Sequence, residues 1–153
     1  RPRSKFTPDS GAAGNFAPAE RRNVVFGGHR PSREAEEQHA ADAALAAKFT
    51  VLLEAARTAE AELRQAQARG ASVRELHDLG KALDTALTEA MRSGYAAQRA
   101  AIGARGYDDR IYRRKAMATS AVKQWTAEAE ALLTLREAHR LGGIVRVPPA
   151  PAA

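Results

Sequence analysis

Residues 45–66, LAAKFTVLLEAARTAEAELRQA, carry apolar side chains at alternating intervals of four and three residues. This spacing is typical of the seam along which one helix packs lengthwise against another. Several seam positions are alanine, so the two helix backbones are expected to approach closely. The predicted seam consists of Leu45, Phe49, Leu52, Ala56, Ala59, Leu63 and Ala66.

A second apolar stripe follows after a short connection at Gly70 and Ala71. Ser72 and Glu75 have the spacing of a capping box, which predicts that a helix begins there. Because so short a connection joins antiparallel neighbours, the two segments are expected to form a helical hairpin. The stripe of the second segment opens with Leu76, Leu79 and Leu83.

The pattern breaks over residues 103–107, after which Asp108 or Asp109 is expected to cap a third helix. The predicted fold is all-α, a long antiparallel helical hairpin extended to an up-down-up three-helix bundle, with extended N- and C-terminal arms. Helices are expected over residues 33–69, 73–102 and 109–141, with Ser32 as the first cap and Gly70 as the first stop.

This pattern divides the chain into an extended basic arm (1–31), a three-helix body (32–141) and an extended Pro/Ala-rich tail (142–153). The arm holds three phenylalanines ten residues apart, which are expected to anchor it in the surface of a partner: Phe6, Phe16 and Phe26. The alternative is that the arm folds back on its own body. Such arms are expected to be ordered only where something holds them.

The net positive charge is concentrated towards the start of the chain. The chain has 24 Lys and Arg against 18 Asp and Glu, and residues 1–30 carry six of the basic side chains but only two acidic ones. A nearly neutral body with basic ends indicates arms laid on an acidic partner rather than a uniformly basic binding domain.

Several classes of protein are disfavoured by composition. The chain has no cysteine, which excludes disulfides, thiolate metal sites and cysteine nucleophiles. No stretch approaches the roughly 18 apolar residues of a membrane span. The sequence opens at Arg1 without a methionine, which we interpret as a cleaved precursor or a fragment boundary. A cleaved precursor favours an organelle interior, the mitochondrion first, with a virion next.

The residues that could carry chemistry are scattered. Glu36 and His39 match half of a di-iron motif, but the second copy is missing. The four histidines form no arrangement with serine or aspartate that resembles a catalytic triad. The sequence therefore predicts no catalytic residue, no metal site and no cofactor, and no enzyme.

One cluster of charged side chains indicates a binding role. Cations in the first turns of a helix oppose the helix dipole, which is unfavourable unless an anion lies there. The predicted third helix begins with Arg110, Arg113, Arg114 and Lys115, and Arg99 and Arg105 lie just before it. The arm junction is expected to add Arg21, Arg22 and Arg30. This predicts a basic pole that meets nucleic-acid phosphate, anionic lipid head groups or an acidic subunit. The alternative is a solvated basic end that Asp108 and Asp109 partly neutralise.

The sequence favours a non-catalytic structural or accessory subunit that contacts other protein subunits of a large assembly. An organelle energy-converting complex or ribosome is the first expectation, and a minor structural protein of a virus or phage particle is the second. The rival from another class is an RNA- or DNA-binding module that uses the arm and the Arg110–Lys115 cluster.

Overall fold

The computed structural model describes residues 28–151, and over this range it contains six helices and no strand. The all-helical prediction is confirmed for these residues. The helices are α1 (Arg33–Ala46), α2 (Phe49–Ala68), α3 (Val73–Ile102), α4 (Arg105–Asp108), α5 (Arg110–Ala116) and α6 (Ser120–Gly142).

The predicted helix caps are present. The Ser32 hydroxyl accepts a hydrogen bond from the amide of Ala35 at 3.1 Å, and Ser72 accepts one from Glu75 at 3.2 Å. Asp109, one of the two predicted caps of the third segment, accepts from the amide of Tyr112 at 2.9 Å. Each cap satisfies a backbone donor that has no partner within its own helix.

The predicted continuous helix over 33–69 is wrong, because the chain breaks between α1 and α2. The fully buried Ser93 of α3 donates its hydroxyl to the Leu45 carbonyl at 2.8 Å. Lys48 also donates its amide to that carbonyl, at 3.1 Å, in a tighter turn. A side chain that enters the backbone ladder in this way is a known cause of helix kinks.

The predicted helix over 109–141 is also interrupted. Thr119 has extended backbone angles (φ −69°, ψ 149°) and donates its hydroxyl to the Ala116 carbonyl at 2.7 Å. Because this side chain competes with the helical hydrogen bonds, α5 ends at Ala116 and α6 begins at Ser120. The seven residues of α5 are thereby separated from the long helix that follows.

The long helix α3 lies against α1, α2 and α6. Its last turns contact α1, where Arg99 binds Asp42. Its first turns contact the end of α6, where Asp84 binds Arg140. The helix α3 is therefore the element on which the other long helices are assembled.

The core face of α2 differs from the predicted seam at two positions. Leu53 is 2% exposed, whereas Leu52 is only half-buried, and Glu60 is buried in place of the half-buried Ala59. Of the other predicted seam residues, Phe49, Leu63 and Leu83 are buried, while Leu45, Leu76 and Leu79 are half-buried. The core also includes Leu87, Met91 and Leu132.

The helices α3 and α6 approach closely at Gly94 and Ala129. A Cβ on Gly94 would lie 3.3 Å from both Cα and Cβ of Ala129 and 3.4 Å from the Phe49 ring. These distances are shorter than most Cβ contacts, so a side chain here would require α6 or Phe49 to shift by a few tenths of an ångström. The Phe49 ring in turn packs edge-on against Trp125, with ring centroids 5.1 Å apart, which joins α2 to α6.

Residues 144–151 follow α6 and lie against the body of the same chain. Val147 is 4% exposed and belongs to the core, while Pro151 reaches Trp125. The Val147 amide donates to the Glu60 carboxylate at 2.6 Å. The sequence predicts that a partner holds this tail, but burial of Val147 in the core and its hydrogen bond to Glu60 hold it against the same chain.

Candidate docking surface

The short helix α5 has no buried residue and consists mainly of cationic and apolar side chains. Its cations Arg110, Arg113, Arg114 and Lys115 are all exposed. Apolar groups on and beside α5 are exposed too: Ile111 is 70% exposed, Tyr112 37% and Met117 39%. We call the four cations of α5 the basic surface.

Helical geometry places three of these cations on one side of α5. Residues three and four apart are neighbours on a helix surface, so Arg110 lies beside both Arg113 and Arg114. Ala116 is the only half-buried residue of α5, and it lies about 200° around the helix from Arg114. The Arg110 and Arg114 side of the basic surface therefore points away from the body.

Arg99 was predicted to belong to this basic pole, but the structure pairs it within the chain. Its guanidinium donates two hydrogen bonds to Asp42, each of 2.7 Å. The hydrogen bond from Arg99 holds the pKa of the Asp42 carboxyl below its usual value. Tyr107 of α4 donates its hydroxyl to the same carboxylate. Burial and the hydrogen bond to Asp42 raise the pKa of Tyr107 to about 12.

This Asp42 clamp joins three helices at the end of the molecule that carries α5. Asp42 lies in α1, Arg99 in α3 and Tyr107 in α4. His39 adds a fourth contact, because its Nε2 lies 3.1 Å from the Ala100 carbonyl and its ring meets the edge of Tyr107. The clamp thus fixes α4, from which α5 projects.

Arg105 is likewise not free to bind an external anion. Its guanidinium donates to the Asp109 carboxylate at 3.2 and 3.1 Å and lies 4.9 Å from the centre of the Tyr112 ring. The amide of Tyr112, followed by the guanidinium of Arg105, lowers the pKa of the Asp109 carboxyl. Tyr112 is exposed, and Arg105 covers one face of its ring.

The arm junction reaches this end of the molecule. Ser32 donates its amide and hydroxyl to Asp108 at 2.6 and 3.1 Å, and Gly28 lies beside the Arg105 guanidinium. Arg30 is exposed here. The other predicted arm residues, Arg21, Arg22, Phe6, Phe16 and Phe26, lie outside the described residues.

The hollows of the described region do not resemble a ligand pocket. The one beside Tyr107 and Ile102 has a volume of about 40 Å³, whereas sites for small molecules usually measure roughly 300–1,000 Å³. The hollows beside His139, of about 430 Å³, and beside Arg146, of about 580 Å³, fall within this range of volumes but are open grooves. Among residues 28–151 no three His, Asp or Glu side chains converge into a group that could hold a metal ion.

The sequence did not predict the roles of two residues that join distant parts of the chain, Asp42 and Glu60. Asp42 and Glu60 each look like a solvated helix residue, since both are flanked by alanines. Only the position of Glu60 on the face between Ala56 and Leu63 could have indicated its burial. Asp42 gives no such signal, because its partners lie 57 and 65 residues away along the chain.

No protein-family model, curated protein or solved structure matches this chain. None of the helices between residues 28 and 151 combines the length and apolar character that crossing a bilayer requires.

Proposed function

We propose that this protein is a non-catalytic accessory subunit that docks onto a larger assembly through the basic surface of α5. Its body would be the up-down-up arrangement of α1–α2, α3 and α6, with α5 set at one end. The observation that carries the proposal is that α5 contributes no residue to the core, yet holds four exposed cations beside three exposed apolar side chains.

The neighbouring charges support this assignment. Arg99 and Arg105 are paired with Asp42 and Asp109, and Asp108 accepts two hydrogen bonds from Ser32. The cations of α5 take part in none of the salt bridges formed among residues 28–151. The positive charge of α5 is therefore available to a partner.

The packing of α4, from which α5 projects, also supports docking. The Asp42 clamp holds α4 against α1 and α3, and a Cβ on Gly106 would lie only 2.2 Å from Ile102 Cγ2. The glycine therefore lets α4 pack closely against the last residue of α3. A surface helix on a fixed support loses less conformational entropy when it binds than a flexible segment does.

The proposal is tested by sedimentation of a lysate from cells that produce the tagged full-length chain. At physiological salt the chain should sediment far ahead of a 16.4 kDa monomer. Replacement of Arg110, Arg113, Arg114 and Lys115 by alanine should shift it to the monomer position without a change in helicity. Exposed charges are screened by salt, so about 0.5 M salt should have the same effect on the parent.

The control variant removes four other exposed cations that form no salt bridge among the described residues: Lys48, Arg74, Lys81 and Arg92. It carries the same net charge as the α5 variant and should stay with the assembly. A parent chain that sediments as a monomer would overturn the proposal. So would an α5 variant that remains with the assembly.

A further inference from the structure

We infer that the partner of the basic surface is the phosphate backbone of a nucleic-acid strand. This inference rests on the proposed docking function and names its ligand. Three of the four cations are arginines, and the planar guanidinium forms paired hydrogen bonds with phosphate oxygens that a lysine cannot form.

The spacing of the arginines suits a repeating anion. Arg110 and Arg113 are three residues apart, and Arg110 and Arg114 four apart, which puts their Cβ atoms roughly 5–6 Å from one another. Their long side chains can spread to phosphates that follow one another along a strand. A compact pair of carboxylates would engage fewer of them.

The side chains of α5 favour contact with the nucleic-acid phosphate backbone over sequence-specific contact with bases. Readout of a single strand usually needs aromatic rings on which bases stack. The aromatic ring of α5 belongs to Tyr112, and Arg105 already covers one face of it. We therefore expect binding that depends little on sequence.

A membrane surface fits α5 less well. An interfacial helix separates an apolar face from a charged one. On α5 the exposed Ile111 and the following Met117 lie about 120° apart around the helix axis, and Arg110 and Arg114 fall between them. Neither apolar side chain could insert without burial of an arginine.

The test measures fluorescence anisotropy of a labelled 20-nucleotide single strand and a 20-base-pair duplex with the full chain. Three phosphate contacts, one for each arginine, give a slope of log affinity against log salt of about −2 to −3. The α5 variant should lose at least tenfold in affinity and most of this slope. The control variant at Lys48, Arg74, Lys81 and Arg92 should lose less than threefold.

A finer variant tests the role of the guanidinium. Arg114→Lys keeps the charge and should keep the slope, because the same number of counterions is released. Its affinity should nevertheless fall severalfold, because the paired hydrogen bonds are lost. Arg114→Ala should lower the magnitude of the slope by about 0.7–0.9. An unchanged slope in Arg114→Ala would contradict contact with phosphate.

Other results separate the alternatives. Equal losses in the α5 and control variants would show attraction by net charge alone and overturn the inference. Binding to vesicles of phosphatidylserine and phosphatidylcholine, without binding to either oligonucleotide, would assign α5 to a membrane instead. If the α5 variant leaves the assembly although the parent binds no oligonucleotide, the docking function stands and the nucleic-acid ligand is wrong.

Discussion

The Glu60 carboxylate accepts a hydrogen bond of 2.6 Å from the amide of Val147, a residue 87 positions further along the chain. Its other oxygen accepts from Arg64 Nε at 2.7 Å, and Arg64 also donates to the Val145 carbonyl at 3.4 Å. One buried carboxylate thus joins the tail to α2. This contact explains why an acidic side chain occupies the core face of a helix.

Glu60→Ala should release the tail and lower the free energy of unfolding by about 1–3 kcal/mol, because the buried Val147 amide would lose its acceptor. Glu62→Ala removes an exposed carboxylate from the same helix and should change the stability by less than about 0.5 kcal/mol. Urea unfolding measures both variants. Hydrogen exchange at the Val147 amide should accelerate in Glu60→Ala alone, and equal exchange in both variants would contradict the contact.

The register of α2 predicts different costs for adjacent leucines. Leu53→Ala removes a side chain that is 2% exposed and should cost about 2–5 kcal/mol. Leu52→Ala alters a half-buried position and should cost less than half as much. Thermal and urea unfolding of the two variants give the comparison. A larger loss in Leu52→Ala would show that the original seam register was correct.

The two glycines within α3 should respond to alanine in opposite directions. At Gly80 the nearest atom to an added Cβ is His139 Cε1 at 4.0 Å, so Gly80→Ala should stabilise the helix by up to about 1 kcal/mol. Gly94→Ala would press its Cβ against the α6 backbone at Ala129. We expect it to melt below the parent, and an increase in its melting temperature would contradict the close approach of α3 and α6.

Tyr107 should make the protein sensitive to alkali. Its pKa is raised from 10.0 to about 12, so the native state keeps a proton that the unfolded chain loses over this range. The contribution is complete below pH 10 and declines as the pH rises towards 12. Spectrophotometric titration at alkaline pH should show a phenol that ionises near pH 12. Tyr107→Phe should abolish that step, and its persistence would assign it elsewhere.

The Asp42 carboxylate should make the stability of the protein sensitive to acid. The hydrogen bond from Arg99 lowers its pKa below the ordinary 3.8, so the unfolded chain takes up a proton first as the pH falls. Its stabilising contribution is present above about pH 4 and is lost below it. Asp42→Asn should be less stable at pH 7 and lose less stability between pH 5 and pH 3. Parallel curves for parent and variant would contradict this linkage.

The positions of helices and caps could be predicted because their causes are local. Ser32 and Ser72 satisfy amides three residues away, and Gly70 takes the left-handed conformation (φ 73°) after α2. The cationic composition of α5 is equally visible in the sequence. Each of these features depends on neighbours within about one helical turn.

The helix breaks and the true core face could not be predicted, because distant residues cause them. Ser93 enters the α1–α2 backbone from 48 positions away, and the tail covers Glu60 from 87 positions away. A periodic pattern contains no information about such partners. It therefore predicted Leu52 and Ala59 where Leu53 and Glu60 are buried.

Only part of the candidate docking surface could likewise be predicted from the sequence. That six cations, from Arg99 to Lys115, lie close together along the chain is visible in the sequence, and so is the pairing of Arg105 with Asp109 four residues away. The pairing of Arg99 is not visible there, because its partner Asp42 lies in α1, 57 residues away. Charge is a property of the residue, but its availability depends on the partners that folding brings within hydrogen-bonding distance.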